Sequence, residues 1–262
     1  MTFTLHSSAS VSAWRHVVDR TANWRRMDFP IRFGLFEHGR EGLVLVDTGY
    51  SPQLFESRDP RVVLYRGLLR PQLNSDGDAL AVVKAHGGKA SDVRHIVLTH
   101  LHADHICGLA RFPRATLMAS DASLAGWRGD GGFSSFHKGF FPSLLPDFSA
   151  TGHRATSQCR PCALPWGGEG RDLLGDGSII AVHLPGHMKG HMGLFFPVLA
   201  QPTLHAADAD WHQAGLDPAL APSLAARLVS DDLAAVQASK AIIAKARAWG
   251  AKITLCHDGD DA

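Results

Sequence analysis

Between Thr99 and His105 the chain reads Thr-His-Leu-His-Ala-Asp-His, directly after the β-type run Val93–Leu98. In an extended segment, side chains two positions apart lie on the same side, so His100 and His102 can grip one cation together. A turn into helix near Ala103 would swing Asp104 and His105 toward a second position. Imidazole and carboxylate donors suit zinc, iron, manganese or nickel better than calcium or magnesium. So many donors packed at a strand's mouth are dense for an ordinary polar loop. The chemistry they offer is metal-assisted hydrolysis, because a bound cation lowers the pKa of water from about 15.7 toward ~7 and supplies a nucleophile at neutral pH.

Positioning such a cluster takes strands, and apolar runs alternating with helical patterns predict an α/β chain. Ile31–Glu37 and Leu43–Val46, split by His38-Gly39-Arg40-Glu41-Gly42, read as a hairpin. Further strands are expected over Val93–Leu98, Ala115–Ala119, Ser178–Leu184, Gly193–Leu199, Thr203–Ala207 and Lys252–Cys256. Two helices stand out. Asp78–Ala85 stops at Gly87-Gly88, and Ser230–Trp249 opens with Ser as a cap, carries Asp231-Asp232 in its first turn and ends at Gly250. Residues 127–150 form a Gly- and Phe-rich loop and 151–175 read as irregular. Neither stretch looks like a linker, so one domain over 1–262 is expected.

The His-x-His-x-Asp-His segment resembles the signature of the metallo-β-lactamase superfamily of dinuclear hydrolases. Other segments resemble that family's motifs in order: Val46-Asp47-Thr48-Gly49 upstream, then Gly175-Asp176-Gly177, Leu184-Pro185-Gly186-His187-Met188-Lys189-Gly190-His191, Ala207-Asp208 and Cys256-His257-Asp258. The resemblance spans about residues 30–258 and implies a four-layer αββα sandwich with metals at one edge between the sheets. It further implies that His100, His102 and His187 hold one metal, that Asp104, His105 and His257 hold the other, and that Asp208 bridges them. Asp210 competes for the bridge; Asp208 is favoured because Trp211 then falls where the family places an aromatic residue. Two divalent ions, zinc first and iron, manganese or nickel as alternatives, would share a hydroxide that attacks the substrate, with Asp104 passing a proton to the leaving group. Asp47 is expected behind a ligand imidazole, since metal-bound imidazoles usually donate their other N–H to a carboxylate or carbonyl.

Within the superfamily the chain is most similar to the quorum-quenching N-acyl homoserine lactonases. β-Lactamases usually lack the bridging Asp, flavodiiron proteins carry Glu where His102 stands, and nuclease members carry an inserted domain and a basic surface. Hydrolysis of a lactone or related ester is therefore expected, with thioester or phosphodiester hydrolysis, or a mononuclear iron sulfur dioxygenase, as alternatives. One departure bears on substrate. Trp211 stands where homoserine lactonases carry a Tyr, and an indole N–H donates a hydrogen bond but cannot act as a proton-transfer acid.

Composition narrows the partners. With 26 Lys+Arg against 25 Asp+Glu and a formal charge of +1, the basic field that non-specific nucleic-acid binding needs is missing. The most apolar stretches fall far short of the ~18 residues of a membrane span, and the start lacks a cationic, apolar leader. A cytoplasmic protein acting on a small molecule is expected, and a homodimer is the assembly it allows. Of sixteen histidines, His191 is expected to orient structure. His95, His183 and His205 fall within strands, and His6, His16, His38, His86, His137, His153 and His212 belong to surface or loops. Cys159-x-x-Cys162 lacks the second pair of a zinc knuckle and the βαβ context of a redox motif. Cys107 and Cys256 read as small buried residues. Phe133, Phe136, Phe140, Phe141 and Phe148 would either wall a substrate pocket or pack into the core. Arg20, Arg25 and Arg26, near Trp14 and Trp24, read as a solvated face.

Overall fold

Strands that are apolar on both faces build the molecule outward from a buried interface between two sheets. The computed structural model describes residues 1–18, 23–129 and 139–259. One sheet holds β1 (Thr2–Trp14), β2 (Arg26–His38), β3 (Gly42–Val46), β4 (Gln72–Leu73), β5 (His95–Val97), β6 (Thr116–Ala119) and β7 (His153–Ala155), in the order β4-β1-β2-β3-β5-β6-β7. The other holds β8 (Arg160–Ala163), β9 (Glu169–Asp172), β10 (Ile180–His183), β11 (Met192–Phe196), β12 (Thr203–His205) and β13 (Lys252–Thr254), in the order β13-β12-β11-β10-β9-β8.

Successive side chains on a strand point to opposite faces, and here each face meets a different core. Leu45, Ile96 and Leu117 face outward to a cluster under the helices, while Val44, Val46, Val97 and Met118 face the second sheet. From that sheet Ala181, Leu194 and Phe196 meet them, and Val182 and Phe195 turn away toward Ile243 and Ala246 of the helix Leu233–Trp249. Helix, sheet, sheet and helix therefore stack in the expected αββα sandwich. Among the described residues no helix is long and apolar enough to cross a membrane.

The predicted hairpin is β2–β3, with Leu35 opposite Leu45 and His38 opposite Gly42. His38 corrects its expected surface place. It is 4% exposed, its Nε2 lies 2.8 Å from Asp176 Oδ2, and its Nδ1 accepts the Arg40 and Glu41 N–H groups at 3.1 and 2.9 Å. The later helix also starts differently. Asp232, not Ser230, caps it by accepting from Ala234 N and Ala235 N, and Ser230 instead closes the preceding helix Leu224–Val229. Residues 151–175 are not wholly irregular, since β7, β8 and β9 lie there. β7 and β8 are edge strands, where polar residues and Pro161 cost no ladder bond and leave no apolar run to read.

Two connections carry the fold's chemistry to one rim. β3 and β5 run parallel, and the turns after both open on the same edge. After β3, Asp47 adopts φ 60° and Gly49 φ 65°. Gly49 is needed there because a Cβ would fall 2.3 Å from Ser8 Oγ. Across the gap between sheets, Arg32 of β2 donates to the Leu255 and Cys256 carbonyls at 2.9 and 3.1 Å, fixing the turn after β13.

Candidate metal centre

Every donor named from the sequence converges on that rim. His100 and His102 follow β5, and the short helix Ala103–Ile106 turns Asp104 and His105 inward. His187 follows β10, Asp208 follows β12 and His257 follows β13. All seven residues are 9% exposed or less. They form two overlapping groups, His100, His102, His187 and Asp208 on one side and Asp104, His105, Asp208 and His257 on the other, with donor atoms of each group within 4.8 Å of one another.

The distances suit shared cations better than hydrogen bonds. His102 Nδ1 lies 3.0 Å from both His100 Nε2 and His187 Nε2. Ligands about 2.0–2.1 Å from a tetrahedral ion stand roughly this far apart. Asp208 Oδ2 lies 3.5 Å from His187 Nε2 and 3.9 Å from His100 Nε2 in the first group, and 3.0 Å from His257 Nε2 and 3.4 Å from His105 Nε2 in the second. Asp104 Oδ2 is 3.4 Å from His257 Nε2 and 3.6 Å from His105 Nε2. Buried atoms left without a hydrogen-bond partner include His105 Nε2 and Asp208 Oδ1. Buried polar atoms are ordinarily satisfied, so these orphans fit a site whose missing partner is a cation.

The outer partners aim the donors. Asp47 Oδ2 lies 2.8 Å from His105 Nδ1, and the same carboxylate accepts Thr99 N–H and Oγ1–H at 2.8 and 2.7 Å. His257 Nδ1 donates to the Pro30 carbonyl at 3.0 Å. His191 Nδ1 donates to the Leu184 carbonyl at 2.7 Å, and its Nε2 accepts the Asp208 N–H at 3.2 Å. His191 thus orients the residue at the centre of the site. Ala207, just before Asp208, is held at φ 50°, a region that costs a non-glycine residue energy and persists where the surroundings over-determine it.

Electrostatics divide the cluster. Burial, reinforced by neighbouring imidazoles, lowers His100 and His187 well below the ordinary imidazole range. Burial also lowers His102 to about 4, against the pull of Asp104. Their lone pairs are therefore available near neutral pH. Burial disfavours charge at His105 and His257 too, but Asp208 and Asp104 outweigh it and raise both. Burial is likewise outweighed at Asp208, which His257 and His105 hold well below the usual carboxylate range.

Asp210 takes a different position from Asp208. Its Oδ2 faces Lys240 Nζ at 3.3 Å, and its Oδ1 accepts the Trp211 N–H at 2.8 Å. Trp211 turns its ring edge-on to His257, 5.6 Å between centroids, and lines a pocket of about 410 Å³ over the cluster. Other walls come from Phe29 and Ile31 of β2, Val11 and Ala13 of β1, and Leu68 and Leu69. Phe140 and Phe141 do not line it; both are buried in the core under the helices, and Phe148 packs at that core's margin against Trp127. Phe133, Phe136, His137 and Arg20 lie outside the described residues. Arg26 stacks over Trp14 at 5.7 Å, and Arg25 is exposed. Cys107, Cys159, Cys162 and Cys256 are all free thiols. Among the polar residues that line the pocket, Tyr50 and Tyr65 are those that reasoning from sequence did not reach. Their rarity in the composition was the one available signal.

A family model described as the metallo-beta-lactamase superfamily matches residues 28–211. The chain belongs to that superfamily. A probable metallo-hydrolase of Mycobacterium tuberculosis is 36% identical over 188 residues, 68% of this chain and 56% of that protein, so the match spans little more than half of the relative's length. An N-acyl homoserine lactonase, AttM of Azorhizobium caulinodans, is 27% identical over 89% of this chain and 83% of its own. Among solved structures, a single-substitution mutant of the AiiA protein of B. thuringiensis with N-decanoyl-L-homoserine bound superposes with a TM-score of 0.73, covering 98% of this chain and 92% of that one at 14% identity. AidC, a dizinc quorum-quenching lactonase, superposes with a TM-score of 0.68 over 99% of this chain and 88% of its own at 15% identity. Superfamily membership carries with it the αββα sandwich that the two sheets already show.

Proposed function

We propose that the chain is a dinuclear metallohydrolase that opens a lactone or a related uncharged ester. The observation that carries this reading is the sharing of Asp208 Oδ2 between two buried donor groups, each with three further donors of its own. Two divalent ions held there, zinc being well suited to His and Asp donors, would supply a water acidic enough to attack at neutral pH and a Lewis acid for the substrate oxygen. His100, His102 and His187 would hold one ion, Asp104, His105 and His257 the other, and Asp208 both. Asp47 and the Pro30 carbonyl fix the orientation of His105 and His257. Asp104 lines the pocket beside both of these imidazoles, where it can hand a proton to a departing alkoxide.

The pocket supports an uncharged substrate with an apolar arm. Its walls are mainly aliphatic and aromatic, and no Lys or Arg is among its described lining residues, so a phosphodiester would meet no fixed cation from the side chains. AttM and AidC are named as lactonases, which makes an N-acyl homoserine lactone the first compound to test and quorum quenching the first role. The second donor group is as buried as the first, which favours two ions over a mononuclear iron site.

Metal analysis of the purified protein, followed by turnover of lactones, aryl esters, thioesters and phosphodiesters, tests the reading. About two ions per chain and chelator-sensitive opening of lactones are expected. Absence of bound metal under every loading condition, or turnover confined to phosphodiesters, would overturn it.

A further inference from the structure

Tyrosine is rare here, two in 262 residues, yet both reach the pocket over the donor cluster. Tyr50 follows the turn after β3, and Tyr65 lies mid-way along the helix Pro60–Leu69. Their hydroxyl oxygens are 2.7 Å apart. Each ring is anchored separately. The Tyr50 N–H donates to Ser8 Oγ at 2.9 Å, at the irregularity in the β1–β2 pairing, and the Tyr65 ring stands edge-on to Phe141 at 4.9 Å.

Either hydroxyl can be the donor at this distance, and the deeper burial of Tyr50 favours it in that role. Tyr50 is 1% exposed, and Tyr65 Oη is the partner its hydroxyl meets. A phenol has one proton to give. If Tyr50 donates to Tyr65, the Tyr65 proton is left to point into the pocket. Gly139 shows how near the cluster that proton lies. A Cβ built on Gly139 would sit 3.9 Å from Tyr65 Oη and 4.0 Å from His102 Cδ2, so phenol and imidazole border the same space beside Gly139. The Gly139 carbonyl accepts the Ala103 N–H at 2.9 Å, tying this gap to the segment that carries the donors. Burial raises both phenols above their ordinary range, which keeps the pair protonated.

We propose that Tyr65 donates a hydrogen bond to the carbonyl oxygen of an ester bound over the cluster, and that Tyr50 is the positioning residue that turns the Tyr65 proton toward it. The inference rests on the hydrolase reading above and deepens it, because it selects substrates whose acyl carbonyl can face the helix Pro60–Leu69. No proton changes owner in this step. The carbonyl carbon gains a bond to the attacking oxygen, its π electrons move onto the carbonyl oxygen, and the phenol O–H stabilises that charge until the bond to the alkoxide breaks.

Tyr65→Phe and Tyr50→Phe, each loaded with zinc and compared with the parent protein, test the inference. Zinc content and Tm are measured beside kcat and KM for a lactone, and calorimetry follows binding of the corresponding lactam, which keeps the carbonyl and resists opening. Tyr65→Phe is expected to lower kcat by ~100-fold, and to raise KM and weaken lactam binding by a similar factor of about tenfold at unchanged zinc content. Tyr50→Phe is expected to lower kcat by roughly three- to tenfold, and the double variant to match Tyr65→Phe, because Tyr50 acts through Tyr65. Kinetics and lactam affinity within twofold of the parent in Tyr65→Phe overturn the inference and leave the hydrolase reading standing. A parent that binds the lactam through Tyr65 but opens no ester overturns the hydrolase reading and leaves the donor standing.

Discussion

Asp208 and Asp210 stand two positions apart after β12, and both are buried, at 3% and 2% exposure. Their surroundings are opposite. Asp208 Oδ2 faces four imidazoles at 3.0 to 3.9 Å. Asp210 Oδ2 faces one ammonium, Lys240 Nζ, at 3.3 Å, and the two meet through charge without a well-formed hydrogen bond. Burial is outweighed at Asp208 by His257 and His105, and its carboxyl is held low; at Asp210 burial outweighs Lys240 and the carboxyl is raised. Gly215 presses on Asp210 so closely that a Cβ would come within 2.2 Å of its Oδ1. One carboxylate is placed among groups that can trade protons for a cation, and the other is clamped in a packed interior. Buried charge is tolerated where it is paired, and the chemistry of the partner decides whether the pairing serves binding or architecture.

Substitution at the two positions separates these roles. Asp208→Ala is expected to lower hydrolysis by ~1000-fold or more and to cut metal content, read by activity and elemental analysis, because both donor groups lose a member. Asp210→Ala leaves Lys240 buried and unpaired and is expected to cost about 3–5 kcal/mol in urea denaturation, with metal stoichiometry intact in the fraction that folds. Metal loss at full stability in Asp210→Ala would break the comparison. A smaller effect is expected from Asp47→Ala, which leaves every donor in place but frees His105 Nδ1. Competition with a chelator should show metal affinity down by roughly 10- to 100-fold.

The pH dependence of stability sharpens the same contrast at a third buried group. His205 of β12 is 0% exposed, and burial lowers its pKa to about 3. An unfolded imidazole takes its proton near 6.5. The unfolded chain therefore binds a proton that the native state refuses, so this group's contribution to stability is complete above pH 6.5 and drains away as pH falls toward about 3. Urea midpoints measured over that window should fall with pH, and His205→Gln should flatten the slope. An unchanged slope would remove His205 as a cause.

The strands facing the sheet–sheet core were legible because both faces are apolar, as in Leu43–Val46 and Met192–Phe196. β1 was not, since Thr2–Trp14 is half-buried, rich in Ser and Thr, and takes its place by pairing with β2 over most of its length. β8 and β9 hid for the same reason, with charged residues and Pro161 near the sheet's edge. The donors were legible because the superfamily's spacing is carried by short turns directly after strands. Tyr50 and Tyr65 were not, because their meeting depends on how the helix Pro60–Leu69 lies over the turn after β3, and no sequence spacing records that contact. His38 reads as a surface residue from sequence because its partner, Asp176, belongs to a distant turn.

Gly139 has no side chain, and its backbone is held at φ 68°. Any other residue there would take a strained conformation and bring its Cβ into van der Waals contact with Tyr65 and His102. The width of the reaction chamber is thus written in a residue that contributes no atoms to its lining beyond the main chain. Divergence toward bulkier or slimmer substrates has little room at this point, and the more permissive route runs through the aliphatic wall at Leu68 and Leu69, where change alters shape without disturbing the cluster.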